Sequence, residues 1–366
     1  MRTVLVAALL ALPFLGGPPS IACTTFCLVD DGQVLFGKNY DWNVDHGLIV
    51  VNKRGMERVS GPDPGAAERP ARWISRYGSV SFNQYGRDFP SGGMNEAGLV
   101  VELMWLDGSA YPAPDARPAL GVLEWIQYQL DRSATVADVI GSDSEVRIAG
   151  RTPLHYLVAD RAGRVAAIEF LDDGSGARMV ARTGGDLPAR ALTNHRYDES
   201  AAFMRGSTRS GDTSSGAWGR SSLERFVTAA RRAESFRRSR PGEAVRYAFE
   251  TLEKTAQPST QWSIVYDVGE ATVHFRTRRQ PAVRSVKLSP LDFACAAPVL
   301  VADLNEPATG DLTGRLRPWT FEENLRLVRA SYAETAFLKD AGEGRIQAVA
   351  AAPESSVCRG TADADR

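Results

Sequence analysis

Cys23 stands directly after a segment laid out like a secretory leader, and that position gives its thiol chemistry that an internal cysteine lacks. Met1-Arg2 supplies a positive start and Val4 to Leu15 forms a short, mainly apolar run containing Pro13. Gly16-Gly17-Pro18-Pro19 breaks the run, and Ser20-Ile21-Ala22 places small residues three and one positions before Cys23. Cleavage after Ala22 would make Cys23 the N-terminus. Its thiol can then attack a carbonyl carbon while its own α-amine, with a pKa near ~8, takes up the proton. A second reading stays open, because a cysteine at this place is also where bacterial lipoproteins receive their lipid. The apolar residue expected three positions ahead is then replaced by Ser20. A lipidated Cys23 cannot act as a nucleophile, so the chain would be an anchored binding protein.

The elements that must position this thiol are legible nearby. Cys23 to Val29 reads as a strand rich in Thr, Val and aromatics, and Val34 to Tyr40 as its returning partner. Between them, Asp31-Gly32 has the composition of a two-residue hairpin turn. That turn sets Cys23 opposite Tyr40 and Thr25 opposite Lys38, so Cys23, Thr25, Cys27, Lys38 and Tyr40 share one face. Lys38 then lies diagonal to Cys23 at roughly 7–8 Å, where a cation favours thiolate over thiol. A slip of one residue would send Lys38 to the other face. Asp41 follows the hairpin, and its carboxylate can hold the α-ammonium formed during attack if the chain bends back. The plain alternative is a surface Lys and a turn Asp. Cys27 reads as a small buried residue.

Composition narrows the class. The 366 residues are 43% hydrophobic with a formal net charge of −1, which excludes an electrostatically driven nucleic-acid binder and a disordered chain. Four cysteines exclude a disulfide-dense mini-protein, and four scattered histidines argue against a His-rich metal site. No stretch after the leader approaches the ~18 apolar residues of a membrane span, so the expected location is periplasmic or secreted. No Gly-x-Ser-x-Gly elbow and no phosphate-cradling glycine loop is present. Only five of the 43 cations are lysine (positions 38, 53, 254, 287 and 339), which singles out Lys38.

Four motifs in order carry a resemblance. Cys23-Thr-Thr-Phe with Phe36-Gly-Lys-Asn-Tyr-Asp41, Gly92-Gly-Met-Asn-Glu-Ala-Gly-Leu99, Leu192-Thr-Asn194 and Ser222-Leu-Glu-Arg225-Phe226 resemble the choloylglycine hydrolase family. That family includes bile salt hydrolases and penicillin V acylases. Pro153-Leu-His-Tyr156 and Ser259-Thr-Gln-Trp262 extend the likeness to about residue 280. The resemblance implies an α+β fold, a four-layer αββα sandwich of the N-terminal nucleophile type, needing no cofactor or metal. It makes Cys23 nucleophile and, through its amine, general base, with Asp41 orienting that amine. It gives the oxyanion to the Asn194 amide and the Trp105 backbone N–H, and makes Arg225 a buried cation polarising the thiol. Trp42 and Trp105 would line an acyl pocket, as in the exported Gram-negative penicillin V acylase-like branch.

Three departures stand out. Lys38 replaces the usual Arg, keeping the charge but not the bidentate fork. Asn194 is followed by His195-Arg196 rather than Ser-Pro, and the Gly/Ser-rich interval before Arg225 is short, so a homo-oligomer is open rather than implied.

Elsewhere, apolar spacing predicts helices around Val122–Leu130, Leu223–Ala230 and Val245–Leu252, and a further one capped by Ser133. Strand-like runs lie at 155–158, 165–171, 262–268 and 271–276. The division expected is a leader at 1–22, a catalytic domain at 23–310, and a C-terminal segment at 311–366. In that last segment Thr320-Phe-Glu-Glu323 opens a helix to about Leu338, and a loose tail follows. Cys295 and Cys358 are candidates for a disulfide in an oxidising compartment, with the pairing left open. The expected function is hydrolysis of linear C–N amide bonds in small N-acyl substrates, namely penicillin V, N-acyl-homoserine lactones or conjugated bile salts, through a thioester. The alternatives are the anchored binding protein or an acyltransferase on the same fold.

Overall fold

Asp31 and Gly32 both adopt positive φ, 44° and 75°, the mirror-image turn whose twist matches the strands it joins. The turn sets the expected register: Thr25 pairs with Lys38 and Thr24 with Asn39 between the strands Thr24–Asp30 and Gln33–Asp41. This computed structural model describes residues 22–61, 69–206 and 221–360. The predicted leader, Ala22 apart, and the Gly/Ser-rich stretch after Gly206 lie outside the described residues.

The hairpin supplies the second and third strands of a seven-stranded sheet. Ala191–Leu192 pairs along Thr24–Asp30, and Gln33–Asp41 pairs with Thr260–Asp267, followed by Thr272–Thr277, Arg284–Lys287 and Gly310–Asp311. A second, nine-stranded sheet has Val100–Trp105 near its middle, flanked by Leu154–Ala159 and Pro90–Asn95. The sheets meet through aromatic edges: Phe82 of the second sheet contacts Tyr266 and Phe275 of the first at centroid distances of 6.2 and 5.8 Å.

Alternation along the hairpin decides which layer each side chain meets. Asn39 points outward, its Nδ2 donating to the Leu252 carbonyl of helix Pro241–Thr255 at 2.8 Å. Lys38 points inward and donates to the Leu103 carbonyl of the second sheet. Helices Ser222–Ser235 and Pro241–Thr255 thus cover the first sheet. Helix Val122–Arg132 covers the second, tied by Asn95 Nδ2 donating to the Leu130 carbonyl at 2.9 Å. Helix Phe321–Glu334 adds Leu327 against Leu48, Val50 and Val301 of the same sheet. The layers are the helix–sheet–sheet–helix sandwich that the sequence resemblance implies.

Three details differ from expectation. Thr135, not Ser133, caps the helix Val136–Gly141, because its hydroxyl accepts from the Asp138 N–H at 3.1 Å. Thr320 caps the C-terminal helix at Glu323 N, 3.2 Å away, but Glu323 turns to Arg317 and the helix stops at Glu334. As far as Cys358, the stretch expected to be a loose tail is instead packed. A further helix, Glu343–Ala351, buries Ile346, Val349 and Ala350 against Val328 and Tyr332. Val357–Cys358 then pairs with the strand Met56–Val59, and Cys358 is disulfide-bonded to Cys295.

Gly37 sits opposite Phe26, and a Cβ there would come within 2.2 Å of the Phe26 ring. Gly37→Ala is therefore expected to cost about 1–3 kcal/mol and to lower the melting temperature measurably in scanning calorimetry. An unchanged melting temperature would show that the ring yields without cost.

Candidate active site

Cys23 precedes the first strand, and two side chains from distant segments, Asn194 and Arg225, converge on it. Its backbone nitrogen donates to Asn194 Oδ1 at 2.7 Å. Arg225, from the helix Ser222–Ser235, donates to the Cys23 carbonyl, to Thr24 Oγ1 at 2.8 Å and to Asn194 Oδ1 at 3.0 Å. The helix places Arg225 there because its N-terminus is capped by Ser221, which accepts from Glu224 N at 3.3 Å, while Phe226, Ala229 and Ala230 bury the face toward the sheet. Arg225 is thus a buried cation, not a solvated helix charge.

Asn194 is pinned by its neighbours, although His195-Arg196 follow it. Its backbone N–H donates to Ser222 Oγ at 2.8 Å, and the Thr193 hydroxyl donates to the Ser222 carbonyl at 3.0 Å. Buried His155 lies 2.7 Å from the Thr193 carbonyl through Nε2. The Asn194 Nδ2 donates to the Trp105 carbonyl at 2.9 Å. Trp105 faces Leu154 across the sheet, but Leu106 N donates to the Pro153 carbonyl and Leu154 N donates to the Tyr111 hydroxyl. The Trp105–Leu154 pair is therefore the non-hydrogen-bonded kind, with the Trp105 N–H and carbonyl both turned away from Leu154. The two expected oxyanion donors, Asn194 and the Trp105 N–H, face the same side.

Asp41 ends the second strand fully buried, its Oδ1 accepting from the Thr260 hydroxyl while Oδ2 has no hydrogen-bond partner. Its backbone carbonyl, not its carboxylate, lies 4.0 Å from Cys23 Sγ. The nitrogen of Cys23 is held by Asn194, so the orienting contact expected from Asp41 is not made in this chain. Burial pushes the Asp41 carboxyl up to about 6, against the pull of Arg225, the Thr260 hydroxyl and Lys38.

Lys38 is fully buried and faces Glu102 at 3.8 Å. Glu102 also accepts from the Tyr266 hydroxyl at 2.5 Å. A Cβ at Gly92 would lie 2.1 Å from the Glu102 carboxyl carbon, so the missing side chain in the Gly92-Gly93 pair makes room for that carboxylate. Burial pushes Glu102 up to about 7, with Lys38 and Tyr266 pulling it down. Burial also pushes the Cys23 thiol up; Lys38 pulls it back, Asp41 opposes, and its backbone hydrogen bond and Arg225 help. Cys27, buried among apolar groups, has its thiol pushed up to about 12 and is an inert packing residue.

A cavity of about 740 Å³ opens beside this cluster, with Cys23, Tyr40, Trp42, Leu103 and Trp105 in its wall. The Trp42 and Trp105 rings lie 6.0 Å apart. Trp42 Nε1 donates to the Tyr85 hydroxyl at 2.8 Å, which fixes the indole against the wall. Sequence reasoning missed Thr260, Glu102 and Ser222 as partners of the site. Thr260 and Ser222 stand inside quoted motifs, whereas Glu102 carries no local signal. It also missed Phe337 and the rest of the C-terminal part of the wall, which belongs to no motif.

Residues 23–175 match the family of linear amide C–N hydrolases, choloylglycine hydrolase family. The chain is 31% identical over 194 residues to a penicillin V acylase of Pectobacterium atrosepticum, an alignment covering 46% of this chain and 50% of that enzyme. The match thus spans about half the length of that curated relative. The structure of penicillin V acylase from Agrobacterium tumefaciens superimposes with a TM-score of 0.70 at 28% identity, covering 81% of this chain and 98% of the other. A conjugated bile acid hydrolase variant from Clostridium perfringens shares the fold, with a TM-score of 0.61 at 14% identity over 78% of this chain and 98% of its own.

The placement of Lys38 yields a test. Losing its cation favours thiol over thiolate, so Lys38→Met should move the pH midpoint of Cys23 alkylation upward by on the order of one unit. Lys38→Arg, which keeps the charge, should leave it nearer the parent. An unmoved midpoint in Lys38→Met would mean that Glu102 already cancels the field of Lys38 at the sulfur.

Proposed function

Since residues 23–175 match the choloylglycine hydrolase family of linear amide C–N hydrolases, we propose that the chain is a member of it, an exported N-terminal cysteine amidohydrolase acting on small N-acyl amides. The observation that carries this reading is the Cys23 nitrogen held by Asn194 at 2.7 Å beside a thiol that lines the cavity. In the unprocessed chain that nitrogen is a peptide nitrogen without a basic lone pair. Removal of residues 1–22 turns it into an amine able to accept a proton. One of its hydrogens can keep the bond to Asn194, and we assign another to Asp41, whose Oδ2 is buried without a partner.

The chemistry then follows from the groups present. Cys23 Sγ attacks the acyl carbonyl carbon and its proton passes to the α-amine. The resulting oxyanion takes the second Nδ2 hydrogen of Asn194 and the Trp105 N–H, two donors aimed at charge that develops only in the transition state. The C–N bond breaks, the amine leaves with the proton from the α-ammonium, and a thioester remains on Cys23. Water, giving its proton to the α-amine, attacks the thioester, releases the carboxylic acid and restores the thiol. Arg225 fixes the geometry of Cys23 and Asn194 throughout.

The apolar Trp42–Trp105 wall suits phenoxyacetyl and fatty acyl groups, which favours penicillin V and N-acyl-homoserine lactones over bulky steroid conjugates. Export is supported by the Cys295–Cys358 disulfide, which belongs in an oxidising compartment.

A hydrolysis panel of penicillin V, acyl-homoserine lactones and conjugated bile salts tests the proposal. The processed protein should cleave the first two, Cys23→Ala none, and Asn194→Ala should lose about 10²–10³ in kcat, the usual cost of one oxyanion donor. Equal turnover by Cys23→Ala would overturn the mechanism. Intact mass of the exported protein should show a free N-terminal Cys23; a diacylglycerol thioether would favour the anchored binding protein. Product partitioning with an added amine separates hydrolysis from acyl transfer.

A further inference from the structure

Phe337 is 56% exposed, yet its ring is held against both indoles of the cavity, 6.5 Å from Trp42 and 6.2 Å from Trp105. A large apolar ring with half its surface uncovered beside a cavity gains by being covered when an apolar group enters. Trp42 follows Asp41 directly, and Trp105 supplies the carbonyl bonded by Asn194. The three rings therefore stand next to the bond-breaking centre from two sides.

The segment carrying Phe337 is built to stay in place. Asn43 Nδ2 donates to the Glu334 carbonyl at 2.7 Å, and the Glu334 carboxylate meets His46 Nε2 at 3.0 Å. Thr335 Oγ1 lies 3.0 Å from the Tyr85 hydroxyl, which accepts from Trp42 at 2.8 Å, so wall and indole share one hydrogen-bond chain. Farther along, Asn324 Oδ1 accepts from Arg87 N at 2.8 Å and its Nδ2 donates to the Ala350 carbonyl at 2.8 Å. At the far end, the disulfide from Cys358 to Cys295 closes the segment onto the catalytic body. Tyr332, Phe337, Leu338, Ala341 and Val349 of this segment all line the cavity.

We infer that residues 321–358 form a disulfide-anchored wall of the acyl cavity and that Phe337, completing a three-ring cage with Trp42 and Trp105, is a specificity-determining residue for the acyl group. This rests on the proposed amidohydrolase reading and names its selectivity element. The cage covers the part of the acyl chain beyond the first carbons, so it adds to the binding of long and aromatic acyl groups and not to that of acetyl.

The test is a series of amides of a single aromatic amine bearing acetyl, butyryl, decanoyl and phenoxyacetyl groups. The readout is the ratio of kcat/KM for decanoyl or phenoxyacetyl over acetyl. Phe337→Ala should lower that ratio about tenfold, equivalent to ~1.4 kcal/mol, mainly through KM. Phe337→Leu should recover part of it. The double variant Cys295→Ser, Cys358→Ser, which releases the wall without touching the cage, should move the ratio the same way. Phe203→Ala, an exposed aromatic of the helix Tyr197–Gly206, should leave it at the parent value. Binding of decanoate and phenoxyacetate, followed by tryptophan fluorescence, reads the same wall without turnover and should weaken about tenfold in Phe337→Ala. A parent protein that cleaves no amide overturns the amidohydrolase reading, and weakened binding in Phe337→Ala would still uphold the wall. A ratio and a binding constant both unchanged in a folded Phe337→Ala overturn the inference.

Discussion

Arg225 is the contact on which the arrangement around Cys23 depends. A guanidinium out of water needs partners for its donors, and here both terminal nitrogens find them on the Cys23 carbonyl, the Thr24 hydroxyl and the Asn194 side chain, while Nε has none. Satisfying one buried cation thus draws together the start of the first strand, the chain after Leu192 and the helix Ser222–Ser235. None of these is near another in sequence. Replacing this cation with an apolar residue would leave the Asn194 oxygen and the Cys23 carbonyl buried with fewer partners, which is why its role is geometric as well as electrostatic.

The surrounding charges are balanced against burial, not against solvent. Lys38 and Arg225 favour the thiolate of Cys23, whereas desolvation and Asp41 disfavour it. Glu102, lodged over Gly92, shares the field of Lys38 and is itself pushed up to about 7. As pH falls through that value Glu102 gains a proton, and Lys38 is left as the less neutralised cation facing the sulfur. The replacement of a forked Arg by a Lys is thereby accommodated: a point charge needs one carboxylate and one carbonyl, and Glu102 and Leu103 supply them.

Much of this was legible in the chain because it is local. The Asp31-Gly32 turn determines the hairpin register, and the register determines that Lys38 shares a face with Cys23. The order of the motifs then named Asn194, Arg225, Trp42 and Trp105 before any distance was known. What escaped is what depends on long-range packing. Glu102 lies 64 residues beyond Lys38 in the sequence, and nothing around it marks it as a partner. The C-terminal segment reads as loose because its apolar residues are sparse and its helix Glu343–Ala351 is rich in Ala; only packing on Val328 and Tyr332, with the staple to Cys295, shows what orders it. Asp41 was expected at the Cys23 nitrogen, but with Ala22 still attached that nitrogen has a single hydrogen, and Asn194 takes it.

Cys23 therefore sits where three constraints meet: a buried cation behind it, the Asn194–Trp105 corner beside it, and an apolar wall in front completed by the C-terminal segment. The most direct measurement is mass spectrometry of the processed protein quenched in acid during turnover of an N-acyl amide. The expected result is a peptide starting at Cys23 heavier by the acyl group and labile to hydroxylamine, as a thioester is. An acyl group found on another residue, or a Cys23 that stays unmodified while amide is consumed, would contradict it.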